Sequence, residues 1–563
     1  MSQEISYQDK PWLKSYERSV PENIAYEELS LPDILKRSAA EFPDQDALLY
    51  QGYALNYRRF NELVDRFAAF LSGQGIGRGR AVAILLPNCI PCVIAYYAIL
   101  RIGAIAVMNN PLYTDPELEH QLNDSESCAV ITLDLLGNRM IDLRGKTKIR
   151  QIVVASLGEY LPFPKSLLFR LLARRKRISA PVKRAPDVNS WKSCLRSDPL
   201  LLPEGYCGFS DVAVYQYTGG TTGQPKGVEL THVNLSKQVQ QCAAWFPKFR
   251  KGGEIMLGAL PYFHAFGMTT AMNLSVFKGW AQILVPRPKS GPLLEAIRKY
   301  RPTFAPLVPA MYAGMLNHPD FAGTDMTCLK GAFSGAEPLS GKLRQEFELK
   351  TGAVIVEGYG MTETSPVTLI NPFSDGARKI GSVGLPISDT LCRIVDPVEG
   401  VDDVPLGERG ELIIRGPQVM KGYKGRPEET AGIIRGGWCY TGDIALMDRD
   451  GYVFLVDRKK NLIISGGYNI YPHEIEEVFN SHPRIAESCA VGIPDEKKGE
   501  KVKVFAVLKK DEIATEEELM DYCRTRLAVY KLPKIIEFRR ELPKSRVGKI
   551  LHRELREAER KND

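Results

Sequence analysis

Short apolar runs rich in β-branched residues alternate with helical patterns from the start of the chain to about residue 456. Residues 212–217, 282–285 and 303–308 are examples, and a turn or a helical pattern follows each of them. Strands that alternate with helices predict α/β layers, in which the helices cover a largely parallel sheet. Because 563 residues exceed the size of one hydrophobic core, we expect at least two domains.

The C-terminal stretch has a different pattern. Strand-like runs at residues 489–493 and 502–508 precede a helix that opens at Thr515, where Thr515 and Glu518 predict a capping box. Another strand and a basic helix from about Lys549 follow. This order predicts a small α+β domain of about the minimum independent size.

A charged run, DRKKN at residues 457–461, lies at the junction and is typical of a solvated linker. The expected fold class is therefore α/β, with a large multi-layer N-terminal domain and a small, mobile C-terminal α+β domain. The expected boundaries are 1–456 for the N-terminal domain, 457–461 for a hinge and 462–563 for the C-terminal domain.

One apolar stretch is long enough to cross a bilayer, since residues 81–100 carry no charge. Pro87, Asn88 and Pro91 interrupt it, so we expect a buried strand at 81–86 and then a helix that ends near Arg101. The C-x-x-C pair inside it, Cys89 and Cys92, has no second pair nearby and lies among apolar residues. Core packing is therefore favoured over redox or metal chemistry for this pair.

The formal net charge of +7 suits phosphate-rich substrates or an anionic membrane surface. A nucleic-acid binder usually concentrates its basic charge much more, so we expect no nucleic-acid partner. Residues 1–10 lack the apolar run of a signal peptide, and the 11 cysteines have no regular spacing. A cytoplasmic location is the expectation.

One segment, residues 161–184, contains eight basic residues, no acidic residue and several large apolar ones. Such a basic amphipathic stretch can lie in a membrane interface and favour anionic lipids. The alternative is a surface insertion whose leucines pack on the body of the protein. Both interpretations stay open at this point.

A glycine- and threonine-rich run, YTGGTTGQPKG at residues 217–227, directly follows an alternating strand and precedes a helical pattern near His232. Glycines permit turns that point several backbone N–H groups at one anion, hydroxyls add donors, and Lys226 adds a positive charge. The run therefore predicts a polyphosphate-binding loop. It is not a Walker A loop, because no Lys-Ser or Lys-Thr pair follows its last glycine.

This loop resembles the phosphate-binding loop of the acyl-adenylate-forming superfamily, which includes acyl-CoA ligases, luciferases and peptide-synthetase adenylation domains. Further signature stretches follow in the family's order: SGAEP at 334–338, EGYGMTE at 357–363, YTGD at 440–443 and PKSRVGK at 543–549. Residues 110–114, 117–125 and 437–475 narrow the resemblance to bacterial long-chain fatty-acid–CoA ligases. The resemblance covers nearly the whole chain.

The resemblance implies a nucleotide site assembled from distant stretches. Tyr359 would stack on adenine, Asp443 would accept hydrogen bonds from two ribose hydroxyls at a turn, and Arg458 would contact the ribose or a phosphate. The residues implied to contact ATP or CoA are Thr218, Gly219, Gly220, Thr221, Thr222, Gly223, Lys226, Gly335, Ala336, Glu337, Glu357, Gly358, Tyr359, Gly360, Thr362, Asp443, Arg458, Lys460, Gly466 and Gly467.

The resemblance also implies a metal ion and catalytic residues. Glu363 matches the family's Mg²⁺ ligand and Thr218 its hydroxyl partner, in keeping with the one or two protein oxygens that Mg²⁺ prefers. Lys549 would neutralise the charge that builds when a carboxylate attacks the α-phosphate. Lys226 is the second implied catalytic residue, and His264 is implied to lie between the approaches of the carboxylate and of CoA.

Domain motion is a further implication. Lys460 resembles the hinge residue about which the C-terminal domain of the family swings. One orientation would present the Lys549 loop for adenylation, and the other would present Gly466 and Gly467 to the thiol arm of CoA. Glycines there would let an extended pantetheine pass close to the backbone.

The expected activity is that of an ATP- and Mg²⁺-dependent fatty-acid–CoA ligase, with a long-chain acid as the expected substrate. The expected small-molecule partners are a fatty acid, ATP and coenzyme A. The alternatives are an acyl-AMP ligase that loads a carrier protein, a medium-chain or aryl-CoA ligase, and a catalytically silent lipid-binding or scaffold protein. Peripheral contact with the anionic inner face of a membrane, and a homodimer such as relatives often form, stay open.

Overall fold

A computed structural model describes residues 6–203, 205–218, 225–373, 377–465, 468–495, 499–544 and 550–560. The chain forms a large N-terminal α/β domain and a smaller C-terminal domain, so the predicted fold class is confirmed.

The strands are β1 (Asp46–Tyr50), β2 (Tyr53–Asn56), β3 (Ala81–Leu85), β4 (Ile105–Met108), β5 (Ala129–Leu133), β6 (Gln151–Ala155), β7 (Val188–Ser190), β8 (Val212–Thr218), β9 (Lys226–Thr231), β10 (Ile255–Gly258), β11 (Ala281–Leu284), β12 (Phe304–Leu307), β13 (Gly331–Ser334), β14 (Val354–Gly360), β15 (Val367–Ile370), β16 (Leu385–Pro386), β17 (Leu391–Val395), β18 (Gly410–Arg415), β19 (Gly422–Tyr423), β20 (Ile434–Arg435), β21 (Trp438–Met447), β22 (Val453–Arg458), β23 (Ile463–Ser465), β24 (Tyr468–Ile470), β25 (Ile485–Asp495), β26 (Gly499–Leu508) and β27 (Ile535–Phe538).

The helices are α1 (Leu31–Glu41), α2 (Tyr57–Gly73), α3 (Ile90–Arg101), α4 (Asp115–Asp124), α5 (Asp134–Leu143), α6 (Lys165–Leu172), α7 (Trp191–Cys194), α8 (His232–Trp245), α9 (Ala265–Gly267), α10 (Leu274–Lys278), α11 (Ser290–Tyr300), α12 (Pro309–Leu316), α13 (Gly341–Thr351), α14 (Pro427–Ile433), α15 (Pro472–Asn480), α16 (Glu516–Arg524) and α17 (His552–Arg560).

Two largely parallel sheets form the centre of the N-terminal domain. Within the described residues, the first sheet has the order β16-β15-β14-β13-β12-β10-β11-β1-β2 and the second the order β19-β9-β8-β4-β3-β5-β6-β7. In the first sheet β14, β13, β12, β10, β11 and β1 run parallel, and in the second β8, β4, β3, β5, β6 and β7 do. The loops after parallel strands therefore share one edge of each sheet, where ligands of α/β proteins usually bind.

The other two sheets differ from these in their strand directions. The third is antiparallel, with the order β17-β18-β21-β20 and β22 added against β21. The fourth contains β24-β23-β26-β25, with β27 parallel to β26. Helices α15 and α16 share a buried core with this last sheet, to which Ile475, Phe479 and Leu519 contribute.

The apolar stretch at 81–100 folds as predicted, into β3 and α3. The whole of α3 is buried, because it is apolar around its circumference and packs between other elements. Cys89 and Cys92 are buried, and burial raises the pKa of both thiols, to about 12 for Cys89. Among the described residues, no helix is both long and apolar enough to cross a membrane.

The helix expected near His232 is confirmed, since α8 starts at that residue. Between the loop and this helix, Lys226 begins β9, which pairs antiparallel with β8. One expectation about local structure needs correction. The run at 457–461 is not wholly a solvated linker, since Asp457 and Arg458 are the last residues of β22. The short 3-10 turn Lys459–Asn461 follows at once.

The capping box predicted at Thr515 is formed in part. The Thr515 hydroxyl accepts a hydrogen bond from the backbone N–H of Glu518 at 3.2 Å, which caps α16. The Glu518 carboxylate accepts from Arg484 at 2.8 Å, so a tertiary ion pair takes the place of a reciprocal bond to the cap.

Candidate active site

The carboxyl-terminal edges of the two parallel sheets meet at the loop that carries His264. This loop follows β10, and the side chain of His264 is exposed. The side-chain amide of Gln216, near the end of β8, donates to the backbone oxygen of Phe263 at 2.6 Å. That bond places His264 beside the strand that leads into the glycine-rich loop.

The same loop also contacts the stretch SGAEP. The rings of Phe266 and Phe333 pack edge to face with their centroids 5.4 Å apart, and Phe333 lies in β13. Gly335 follows β13, and a Cβ atom on it would lie 3.1 Å from the Phe266 ring. The next residue, Ala336, has φ of +69°, a conformation that costs a non-glycine residue of order 1 kcal/mol. Glu337 lies one residue further along this loop.

Two glycines of the stretch EGYGMTE are needed for close packing. A Cβ atom on Gly358 would lie 2.4 Å from the Phe333 ring, and one on Gly360 would lie 1.8 Å from the backbone oxygen of Pro366. These glycines let β14 run close to its neighbours whether or not a nucleotide is bound. Glu357 accepts from the backbone N–H of Leu339 at 3.2 Å, and burial raises its pKa.

Asp443 is the central acidic group of the site, with 5% of its surface exposed. The Tyr359 hydroxyl donates to its Oδ2, and Arg458 Nε lies 2.7 Å from its Oδ1. Burial raises the pKa of Asp443, while Arg458 and the Tyr359 hydroxyl act in the opposite direction. The expectation of a turn at 440–443 is wrong, because these residues lie within β21; Gly442, with φ of +70°, provides a local irregularity.

A second cluster lies at the β8–β9 hairpin. Thr218 and Lys226 are paired residues of the hairpin, and Lys226 Nζ lies 5.0 Å from the centre of the Tyr423 ring. The hydroxyl of Tyr423 donates to Glu363 Oε1 at 2.7 Å. Glu363 is 8% exposed and lies in the 3-10 turn that starts at Thr362. The two predicted metal ligands, Thr218 and Glu363, are thus connected through Lys226 and Tyr423.

Lys226 also forms an ion pair with Glu429 of α14. This hydrogen-bonded lysine holds the pKa of the Glu429 carboxyl below its usual value. A phosphate bound by Lys226 would compete with that carboxylate for the ammonium group.

The chain that leads into the C-terminal domain is held at three successive residues. Arg458 pairs with Asp443, and Lys459 Nζ lies 2.6 Å from a carboxylate oxygen of Glu411, which is 3% exposed. The backbone oxygen of Lys460 accepts from Arg556 of α17 at 3.0 Å. Motion about Lys460 would therefore break or carry along the bond to α17.

Part of the predicted site lies outside the described residues. This applies to Gly219, Gly220, Thr221, Thr222 and Gly223 of the glycine-rich loop, to Gly466 and Gly467, and to Lys549. Their roles stay predictions.

Three contributing residues were missed from the sequence: Tyr423, Glu429 and Arg556. Tyr423 reaches Glu363 because β19 pairs with β9, and no local sequence pattern predicts that pairing. Glu429 looks like an ordinary first-turn acidic residue of α14, a position favoured by the helix dipole.

The AMP-binding enzyme family matches residues 35–424, and the AMP-binding enzyme C-terminal domain matches residues 474–549. The chain belongs to the AMP-binding enzyme family. The first match includes Lys226, Tyr359 and Glu363, and the second includes strands β25, β26 and β27 of the C-terminal sheet, so the family predicted from the motifs is confirmed.

The relatives of this AMP-binding enzyme are similar to it over almost their whole length. A long-chain-fatty-acid–CoA ligase of Bacillus subtilis is 43% identical over 560 residues, which are 98% of this chain and 99% of the relative. A protein of the same name from Escherichia coli O6:H1 is 39% identical over 562 residues, 98% of each chain. The narrower resemblance to bacterial ligases of this type is thus also confirmed.

Solved structures share the fold. ATP-bound MatB from Rhodopseudomonas palustris is similar with a TM-score of 0.79 at 27% identity, covering 94% of this chain and 99% of MatB. A fatty acyl CoA synthetase of Mycobacterium tuberculosis is similar with a TM-score of 0.71 at 30% identity, covering 94% of this chain and 98% of that protein.

Tyr423→Phe is expected to lower kcat/KM for ATP about tenfold, which corresponds to about 1.4 kcal/mol, because Glu363 loses a hydrogen bond while the ring beneath Lys226 stays. Steady-state kinetics with varied ATP measures the effect. Tyr440→Phe is the matched control, since the Tyr440 hydroxyl donates at 2.7 Å to the backbone of Gly400, away from Glu363. Equal kinetics in wild type and Tyr423→Phe would contradict a role for the Tyr423–Glu363 bond.

Proposed function

We propose that this AMP-binding enzyme is a long-chain fatty-acid–CoA ligase. It activates the acid with ATP as an acyl-adenylate, releases pyrophosphate, and then forms the CoA thioester with release of AMP. The observation that carries the proposal is the 43% identity over 98% of the chain to a relative named for this activity. The aligned region includes both the N-terminal domain and the C-terminal domain.

The proposed domain boundaries are 1–456 and 462–563, with the hinge at 457–461. Their support is the change of sheet: Arg458 ends a strand of the third sheet, and Ile463 begins a strand of the fourth. The residues between them include the short 3-10 turn Lys459–Asn461, a place where a change of backbone angles would turn one sheet relative to the other.

The proposed nucleotide site uses both clusters. The exposed side of Tyr359 offers a face for adenine next to the backbone at Gly335, Ala336 and Gly358. Asp443 binds the ribose and shares its oxygens with Tyr359 and Arg458. Glu337, Glu357, Gly360 and Thr362 complete the adenine end, while the glycine-rich loop and Lys226 hold the phosphates.

Thr218 and Glu363 are proposed to hold Mg²⁺. A hydroxyl and a carboxylate are hard oxygen donors, and the bond from Tyr423 to Oε1 orients the carboxylate of Glu363. These features fit Mg²⁺, which would supply positive charge beside the phosphates and so lower the negative charge that the attacking carboxylate meets.

In the first reaction a carboxylate oxygen of the acid attacks the α-phosphate, and the bond to pyrophosphate breaks. Lys226 and Lys549 are proposed to stabilise the negative charge that accumulates there. In the second reaction the CoA thiol loses its proton and attacks the acyl carbon, and AMP leaves. His264 is proposed to lie where the acid and CoA approach each other, and Gly466 and Gly467 to flank the pantetheine arm beside hinge residue Lys460.

A membrane contact through residues 161–184, the basic segment, is also proposed. Leu167, Leu168 and Leu171 of α6 are 51%, 55% and 68% exposed, and Phe163 before it is 81% exposed. The Phe169 ring packs against Gly158 and anchors the helix to the body of the protein. Exposed leucines beside basic residues suit the inner face of an anionic membrane and a cytoplasmic enzyme. A homodimer stays a prediction from the resemblance.

The activity is tested by CoA-dependent AMP formation with acids from acetate to oleate and with benzoate. We expect kcat/KM to be largest for a long-chain acid, and AMP formation to need free CoA. A maximum with benzoate or a short acid would refute the long-chain substrate. Steady turnover with a carrier protein but not with CoA would refute the CoA ligase itself.

Lys549→Ala is expected to raise the activation free energy of adenylation by about 3–4 kcal/mol, because the charge of Lys549 is needed while the α-phosphate is attacked. Thioester formation from supplied acyl-AMP should be unchanged. Rapid-quench measurement of each half-reaction separates the two. Lys544→Ala removes the same charge five residues earlier in the chain, where Lys544 pairs with Glu487, and serves as the control. Equal loss in both half-reactions would contradict the assigned role.

The purified enzyme should bind vesicles that contain anionic lipid. It should dissociate as salt rises, because salt shortens the Debye length, roughly 8 Å at physiological ionic strength, and so screens the attraction between basic residues and lipid. Replacing Arg174, Arg175, Lys176 and Arg177 by Gln should reduce the free energy of vesicle binding by about 1 kcal/mol per charge, as measured by co-sedimentation. Activity on dispersed substrate should be unchanged.

The charge-matched control for this test replaces Lys510, Arg524, Arg526 and Lys534, which are exposed in the C-terminal domain, by Gln. Vesicle binding that falls equally in both variants would mean that overall charge, and not the basic segment, governs the contact.

A further inference from the structure

Three metal-binding side chains meet in the C-terminal domain, outside the residues proposed to bind nucleotide or acyl group. They are Glu476 of α15, Cys489 of β25 and His552 of α17. One ligand atom from each lies within 4.8 Å of the other two. His552 Nε2 and Glu476 Oε1 are 2.7 Å apart. The three residues are far apart in sequence, and only the packing of α15 and α17 on β25 brings them together.

The cluster is enclosed and has an excess of acidic groups. Cys489 is fully buried, and the side chains of Glu476 and His552 are 13% and 25% exposed. Asp457 of β22 is close enough for its charge to act on Cys489 and His552. Among the described residues of this domain, Lys544 pairs with Glu487 and Arg556 with Glu500. With its two carboxylates, the site favours a bound cation.

The ligand side chains are oriented by further hydrogen bonds. The backbone N–H of Ala490 donates to Glu476 Oε1 at 2.8 Å. His552 also hydrogen-bonds to the backbone of Ile550, and because Nε2 faces Glu476, this second contact uses the other ring nitrogen. A ring N–H bonded to a carbonyl, with the opposite nitrogen facing other ligands, is the arrangement usual for metal-binding histidines.

We propose that Glu476, Cys489 and His552 bind a thiophilic divalent cation, Zn²⁺, with water as the fourth ligand. A sulfur, a nitrogen and an oxygen match the donor preferences of Zn²⁺, whereas Mg²⁺ prefers oxygen alone. Tetrahedral Zn²⁺ sets its ligand atoms about 3.5 Å apart, so His552 Nε2 and Glu476 Oε1, which are 2.7 Å apart, need to separate to admit the cation.

Binding displaces protons. Zn²⁺ binds the thiolate, and the thiol proton leaves to solvent; a protonated His552 loses its ring proton as well. The bound cation links α17 to α15 and β25, and so stabilises the C-terminal domain.

The test uses the full-length protein, freed of metal by chelation and titrated with Zn²⁺ against a chromophoric competitor. His552→Arg keeps a positive charge opposite Glu476 but removes the ligand nitrogen, and Cys489→Ala removes the sulfur. Cys523→Ala is the control, since Cys523 is buried in the same domain and lies outside the cluster. Replacement of Zn²⁺ by Co²⁺ gives a second readout, a thiolate-to-metal absorption band.

We expect wild type and Cys523→Ala to bind one Zn²⁺ per chain with equal affinity, and His552→Arg and Cys489→Ala to bind at least tenfold more weakly. The thiolate band should appear in wild type and be absent from Cys489→Ala. Absence of stoichiometric binding in wild type would overturn the proposal. Equal affinity in all four proteins would also overturn it, because the cation would then lie elsewhere.

Discussion

The buried carboxylate of Asp443 joins the first sheet to the third and fixes the start of the proposed hinge. Its two oxygens are held by Tyr359 of β14 and Arg458 of β22. A buried carboxylate without such partners would cost several kcal/mol, so the three residues stabilise one another's positions. Because Arg458 is the last residue of its strand, the same contact determines where the chain leaves the N-terminal domain. The proposed adenine and ribose contacts and the proposed hinge are in this way parts of one arrangement.

Close backbone packing around that carboxylate explains residues that look like ligand contacts. Gly358 and Gly360 have no space for a Cβ atom beside Phe333 and Pro366. Ala336 holds a left-handed conformation at the end of a neighbouring strand. Strained or tightly packed backbone of this kind is held in place by its surroundings, and it presents N–H and C=O groups in fixed positions. A nucleotide that binds here would meet a largely preformed edge.

At the proposed phosphate site, charged side chains are paired with other groups of the protein. Glu429 occupies Lys226, and Tyr423 occupies one oxygen of Glu363. Each charged group thus has a partner in the protein alone, which lowers the cost of keeping it partly buried. The proposed binding of a polyphosphate and a cation would exchange these contacts for others. The cluster of Glu476, Cys489 and His552 differs, because among the described residues its carboxylate and thiol, with Asp457 nearby, surround the single basic side chain of His552.

The sequence by itself determined the layered α/β class, because strands and helices alternate with their own hydrophobic periods, and those periods depend only on local geometry. It also determined the break at Pro87 and Pro91, since proline removes a backbone donor and fixes φ. Motif order gave Tyr359, Asp443, Lys226 and Glu363 as site residues. These motifs carry glycine, hydroxyl and charge at short, fixed spacings.

Only the tertiary structure decided what those residues touch. The pairing of β9 with β8, and of β19 with β9, brings Tyr423 to Glu363, and strand pairing between distant segments has no local signal. The glycine in the stretch YTGD favours a turn. The stretch is nevertheless part of a strand, because it lies between β18 and β22 and pairs with both. The approach of Glu476, Cys489 and His552 has the same cause, because their separation in sequence gives no period or spacing to detect. Side-chain clusters of this kind arise from the packing of elements, and packing is a property of the folded chain as a whole.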